Sequence, residues 1–244
     1  MKPFLLLASR PEDAAADSEY EAFLRCGGLD ERDLVRVRLD SQPLPDVDLS
    51  RYSGIIVGGS PFTGSIPHEH KSDTQLRVET ELGGLLDQVV DVDFPFLGAC
   101  YGIGTLGRHQ GASIDGTYAE PISAPVIELT EAGVSDPLLA GMPATFRAFV
   151  GHKEACSRLP GHAVLLARSA TCPVQMFRVK TNLYGTQFHP ELDVPGLLER
   201  VRIYRDAGYY DPAQQEEVER EMSAVVVGDV HRVVRSFVER YARD

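Results

Sequence analysis

The chain has 244 residues, 43% of them hydrophobic and 25% charged, enough apolar material for the core of one large domain. Its net charge of −12 excludes the basic surface needed for non-specific binding to nucleic acid or to an anionic membrane. No stretch approaches the apolar length of a membrane-spanning helix, and Cys26, Cys100, Cys156 and Cys172 lack the spacing of a zinc site or a disulfide framework.

Phe4–Ala8 is apolar throughout and reads as a first, central parallel strand. The run is too short for a secretory signal and acidic residues follow it at once, so a soluble, cytoplasmic protein is expected. A helix is expected over Glu12–Cys26, stopped by Gly27-Gly28, then an edge strand over Leu34–Leu39 and a buried strand over Gly54–Val57 that Gly58-Gly59-Ser60-Pro61 breaks. A helix over about Lys71–Val90, loosened at Gly83-Gly84, leads to a strand at Phe94–Leu97 and a helix at Ile103–Gln110. Strand and helix in alternation imply a parallel sheet with crossover helices.

Beyond Glu120 the pattern changes. Pro125–Leu129, Ala144–Val150, Ala163–Ser169 and Val174–Val179 are short and turn-separated, as β-hairpins appended to the main sheet would be. Leu183–Phe188 is a further strand, and the tail from Val194 is helical with a break at Gly208–Pro212. The economical division is one domain over 1–244, with a core of 1–194 and a helical extension of 195–244.

The chemistry centres on Gly98-Ala-Cys100-Tyr-Gly102, which has the form Gly-x-nucleophile-x-Gly at the end of a buried strand. A sharp strand-to-helix turn strains the residue at its apex, and glycines on either side relieve the crowding. The thiol is then presented at the carboxyl end of the sheet, over a helix N-terminus that favours thiolate. A cysteine nucleophile needs a base and a group that orients the base. His189 ends a strand, and Glu191 lies two residues on, where an extended chain points it to the same side. Glycines at 58 and 59 let backbone N–H groups approach an oxyanion, with the Tyr101 N–H as a second donor. His68 and His70 flank Glu69 without a convergent third ligand and make no metal site.

Taken together, Gly58-Gly59-Ser60-Pro61, Gly98–Gly102 and Gly185-Thr-Gln-Phe-His-Pro-Glu191 resemble the class I (triad) glutamine amidotransferases, especially stand-alone members similar to the amidotransferase domain of GMP synthase. Arg147–Glu154, Leu166–Ser169 and Cys172–Gln175 match more loosely. The resemblance implies an α/β, flavodoxin-like, mostly parallel sheet with helices on both faces. It also implies hydrolysis of a γ-glutamyl amide, with glutamine giving glutamate and ammonia, through a thioester on Cys100. His189 acts as acid and base, Glu191 orients it, Gly58, Gly59 and Tyr101 serve the oxyanion, and no metal or organic cofactor takes part. The family usually carries glutamine four residues after the nucleophile, where this chain has Gly104; His152, in the loop Gly151–Glu154, is the candidate substrate contact that compensates. The alternatives are a γ-glutamyl peptide hydrolase and a non-catalytic regulatory subunit. The chain has no room for a synthetase domain, so either a separate synthetase subunit uses the ammonia or the protein is a hydrolase alone.

Overall fold

The computed structural model describes residues 1–244. In chain order the elements begin with β1 (Phe4–Ala8), α1 (Asp13–Gly27), β2 (Leu34–Arg38), β3 (Ile55–Val57), α2 (Asp73–Asp91), β4 (Phe96–Ala99) and α3 (Tyr101–His109). The middle of the chain holds β5 (Ser113–Asp115), β6 (Glu120–Ser123), β7 (Val126–Leu129), α4 (Glu131–Val134), β8 (Thr145–Arg147), β9 (Val150–His152) and β10 (Ala155–Arg158). It closes with β11 (Ala163–Arg168), β12 (Met176–Val179), β13 (Leu183–Thr186), α5 (Val194–Ile203), α6 (Gln215–Ser223) and α7 (Arg232–Tyr241).

Nine strands form one mixed sheet in the order β2-β1-β3-β4-β13-β12-β11-β7-β8. The first five are parallel, with Leu5 between Val35 and Ile55 and Phe96 between Ile55 and Leu183. From β12 outward the pairing is antiparallel. The β-rich segment therefore extends the main sheet, while β5–β10 and β6–β9 form two small ladders beside it. Ala144–Val150, expected as one strand, divides because Val150 leaves the sheet to pair with Ser123.

Successive residues of β1 serve opposite faces, as a pleated strand requires. Phe4 and Leu6 join one core with Phe23 of α1 and Val234 and Phe237 of α7, while Leu5 and Leu7 join the other with Val78, Leu82 and Leu86 of α2. The Phe237 ring lies 5.9 Å from that of Phe4, so the C-terminal helices share the core of the sheet. Helix α2 starts where the Ser72 hydroxyl accepts the Gln75 N–H, and it runs unbroken through Gly83-Gly84, where the positions of absent Cβ atoms face open space.

The order β2-β1-β3-β4-β13 reverses direction between β1 and β3, and ligands of such sheets bind at the carboxyl ends beside that switch point. Those ends lead into Ser9-Arg10, Gly58-Gly59-Ser60, Cys100 and Gln187-Phe188-His189, so four segments far apart in sequence meet at one edge.

Candidate active site

Cys100 has φ 52° and ψ −91°, a strained conformation for a residue with a side chain, at the N-cap of α3. Both flanking glycines are obligatory. A Cβ on Gly98 would sit 2.5 Å from the carbonyl carbon of Gly102, and one on Gly102 would sit 2.8 Å from the Val57 oxygen. The Cys100 N–H is fixed by the Thr186 carbonyl at 2.7 Å, which ties the elbow to β13. Cys100 is half-buried, whereas Cys26, Cys156 and Cys172 are buried, and burial pushes their thiols up to about 12, 11 and 12.

His189 and Glu191 stand as one unit beside this thiol. Nδ1 of the ring and Oε1 of the carboxylate are 2.9 Å apart, and the His189 N–H is held by the Phe149 carbonyl. Burial alone would lower the histidine pKa, but the charges of Glu191 and Cys100, with hydrogen bonds to both, raise it to about 9. Burial likewise opposes ionisation of Glu191; His189 and Arg200 outweigh it and hold the carboxyl well below its usual range. An ionised Glu191 can only accept, so Nδ1 carries the proton and Nε2 is left for the thiol. Arg200 Nη1, 3.1 Å from Nδ1, therefore packs against that nitrogen, and its ionic partner is Glu191 Oε1, 3.1 Å from Nη2.

Behind the pair lies a buried cluster that sequence patterning does not announce. Arg10 Nε donates to Glu19 Oε1 at 2.9 Å and Nη1 to the Tyr204 hydroxyl at 3.2 Å. Arg200 Nη2 stands 3.6 Å from the same Glu19 oxygen. Arg10, Glu19, Glu191 and Arg200 are each at most 5% exposed, and their charges cancel two against two. Arg10 carries one sequence signal: it lies two residues beyond the end of β1, at the switch point. Tyr204 and Tyr209 wall the cleft in front of Cys100.

Other groups expected at the substrate have hydrogen-bond partners within the protein. The Gly59 N–H, anticipated as an oxyanion donor, donates to Glu19 Oε1 at 3.1 Å, and the Gly58 N–H donates to Leu7. Absent side chains at both positions make room for neighbours: a Cβ on Gly58 would strike the Glu19 carboxylate, and one on Gly59 would meet His189 Cε1 at 2.8 Å and the Arg10 guanidinium. His152 lines the cleft, but both ring nitrogens are taken, Nε2 by Glu120 Oε2 at 2.8 Å and Nδ1 by the Glu154 carbonyl at 3.0 Å. The Tyr101 N–H is at the first position of α3, where no intrahelical acceptor exists, and Tyr101 borders the cleft. The space beside Gly104 is occupied by Glu154, whose Oε1 lies 3.5 Å from where a Cβ would be and is held by the Gly64 N–H and Arg108.

The sequence pattern of the family described as "Glutamine amidotransferase class-I" matches residues 21–195. A subunit of the glutamine-hydrolyzing GMP synthase of Thermoplasma acidophilum is 31% identical over 166 residues, 66% of this chain and 76% of its own length. The corresponding GMP synthase subunit of Pyrococcus abyssi is 28% identical over 154 residues, 63% and 73% of the two chains. Among solved structures, a glutamine amidotransferase from Thermotoga maritima superposes with a TM-score of 0.73 at 20% identity, over 99% of this chain and 98% of its own. A glutamine amidotransferase from Methylobacillus flagellatus gives 0.71 at 18% identity, over 99% and 94%. No helix of the chain is long and apolar enough to cross a membrane.

Proposed function

The chain belongs to the class-I glutamine amidotransferase family, and from that premise we propose that it hydrolyses a γ-glutamyl amide through a thioester on Cys100. The observation that carries this reading is the half-buried, strained Cys100 beside a buried His189 whose Nδ1 is 2.9 Å from Glu191. In the first step the Cys100 sulfur attacks the side-chain carbonyl carbon, and the oxyanion is met by the Tyr101 N–H at the positive end of α3. The Gly59 N–H joins it as a donor only by giving up Glu19. His189, held in its tautomer by Glu191, passes a proton to the leaving nitrogen as the C–N bond breaks. Water then attacks the thioester with His189 as base, releasing glutamate and restoring the thiol.

Glu154 fills the space beside Gly104 with its oxygens held by the Gly64 and Ser65 N–H groups and by Arg108, and its negative charge at the cleft favours the substrate's α-ammonium group where the family's usual glutamine is missing. The likeness to single subunits of GMP synthase supports a separate synthetase subunit that consumes the ammonia. The test is direct: purified protein releases equimolar glutamate and ammonia from glutamine or a γ-glutamyl amide, and Cys100→Ala does not. Undiminished hydrolysis by that variant removes the thioester from the account.

A further inference from the structure

Cys100 has less space around it than a glutamyl substrate fills. Two clefts meet at the thiol, one beside His189 and one beside Gly104 and Glu154, and their cavities measure about 40 and 20 Å³. One water takes ~10–15 Å³ on that measure, so the two together admit roughly five, whereas glutamine brings about ten heavy atoms. Most of the walls are fixed. Arg10 and Arg200 are locked in the buried charge cluster, His189 by Glu191, and the Cys100 main chain by Thr186. A groove of about 330 Å³ lies just outside, along Ala119, Glu120 and Pro121. Tyr209 alone borders all three spaces.

Tyr209 is carried by the connection between α5 and α6, residues 204–214. It follows Gly208, whose φ of 80° favours glycine and makes a natural hinge. The neighbouring tyrosines are fixed through their hydroxyls, Tyr204 on Glu12 at 2.8 Å and Tyr210 on the Val201 carbonyl at 2.7 Å. The Tyr209 hydroxyl bonds to no protein group. What holds the residue is lighter: the Ile122 N–H donates to its carbonyl at 3.1 Å, and its ring meets Tyr204 edge-on at 6.1 Å. Lys153 Nζ, on the loop that also bears Glu154, lies 4.9 Å from the ring centre. Burial, and after it the charge of Cys100, push the phenol pKa up, in keeping with a ring that faces the thiol.

We propose that Tyr209 is a gate, its ring swinging out on Gly208 to join the two inner clefts to the outer groove and returning over the bound substrate. The gate sets the size of molecule that reaches Cys100, and Lys153 is its latch. The substrate size used here rests on the proposed hydrolysis; access to the thiol does not, and it is measured without turnover.

The experiment follows alkylation of Cys100 by iodoacetamide and by the bulkier N-phenylmaleimide at one pH, with peptide mass spectrometry assigning the site. Both reagents meet the same thiolate, so the ratio of their rates reports access and cancels any change in thiol reactivity. Tyr209→Ala raises the maleimide-to-iodoacetamide ratio at least about tenfold, the factor for a gate closed about ten times as often as it is open. Lys153 is exposed, so Lys153→Met leaves the core intact while removing the latch, and it raises the ratio about two- to fivefold. An unchanged ratio in Tyr209→Ala overturns the gate, and an unchanged ratio in Lys153→Met overturns the latch. A rise accompanied by labelling of Cys26, Cys156 or Cys172 also overturns the gate, because the whole fold has then loosened. If the ratio rises as expected but no γ-glutamyl amide is hydrolysed, the gate stands and the thioester reading falls.

Discussion

Substituting Glu191→Gln tests the buried charge cluster at its centre. The carboxylate is fully buried, accepts from His189 and Arg200, and belongs to a set of four charges that cancel. The amide preserves shape but leaves Arg200 with one anion, the Glu19 oxygen at 3.6 Å that Arg10 already engages. Breaking a buried pair in this way costs about 3–5 kcal/mol, and at roughly 2–4 °C per kcal/mol for a chain of this size the melting temperature falls by roughly 6–20 °C. The same change removes the largest influence that raises the histidine pKa, so the value drops from about 9 while burial continues to oppose the charged ring. Calorimetry gives the first quantity, and NMR titration of the ring gives the second. A second variant, Glu191→Gln with Arg200→Met, restores neutrality and recovers most of the lost stability, because it leaves Arg10 and Glu19 as a matched pair. A melting temperature within about 2 °C of wild type for Glu191→Gln, or an unmoved histidine titration, refutes this reasoning.

Other expectations follow from the same geometry. Stability contributed by Glu191 is complete above its ordinary pKa of 4.5 and is lost as pH falls below it, whereas that contributed by protonated His189 is complete below 6.5 and is lost as pH rises through about 9. Melting temperatures across the pH range should therefore peak between about 5 and 6.5, and a maximum above pH 9 contradicts the pairing. Iodoacetamide at neutral pH should label Cys100 and spare Cys26, Cys156 and Cys172, as peptide mass spectrometry would report; labelling of the other three in the folded protein refutes their protection. Cys100→Gly relieves the positive φ that Cys100→Ala retains, so the glycine variant should melt higher, by a difference of about 1 kcal/mol, and both should be inactive. Gly59→Ala should lower activity far more than it lowers stability, since its methyl meets His189 and Arg10 at the cleft; comparable turnover by that variant contradicts the close approach.

Much of the fold was legible because each central strand is apolar on both faces. Phe4–Ala8 reads as a buried strand for the same reason that it sits between β2 and β3. Gly98, Cys100 and Gly102 were legible because strain at a strand-to-helix turn demands those residues at that spacing, whereas β13 ends at Thr186 and it is the bends after it, not extended strand, that place Glu191 against His189. The boundary of β4 was displaced, from Phe94–Leu97 to Phe96–Ala99, because glycine and alanine give no strand signal although the ladder runs through them. Arg10, Glu19 and Arg200 escaped notice because charged residues ordinarily face water, and pairing between positions 10, 19 and 200 depends on contacts that no local pattern encodes. That same pairing explains why Gly59 holds a carboxylate in place of an oxyanion, whereas His152, expected at the substrate, is occupied by Glu120.

The central claim is a covalent γ-glutamyl enzyme on Cys100. Rapid acid quenching of the protein during turnover, followed by intact-mass and peptide mass spectrometry, measures it most directly. A glutamyl adduct is expected on the peptide containing Cys100, present in the wild type and absent from Cys100→Ala. An adduct on any other residue, or steady hydrolysis by Cys100→Ala with no adduct, contradicts it.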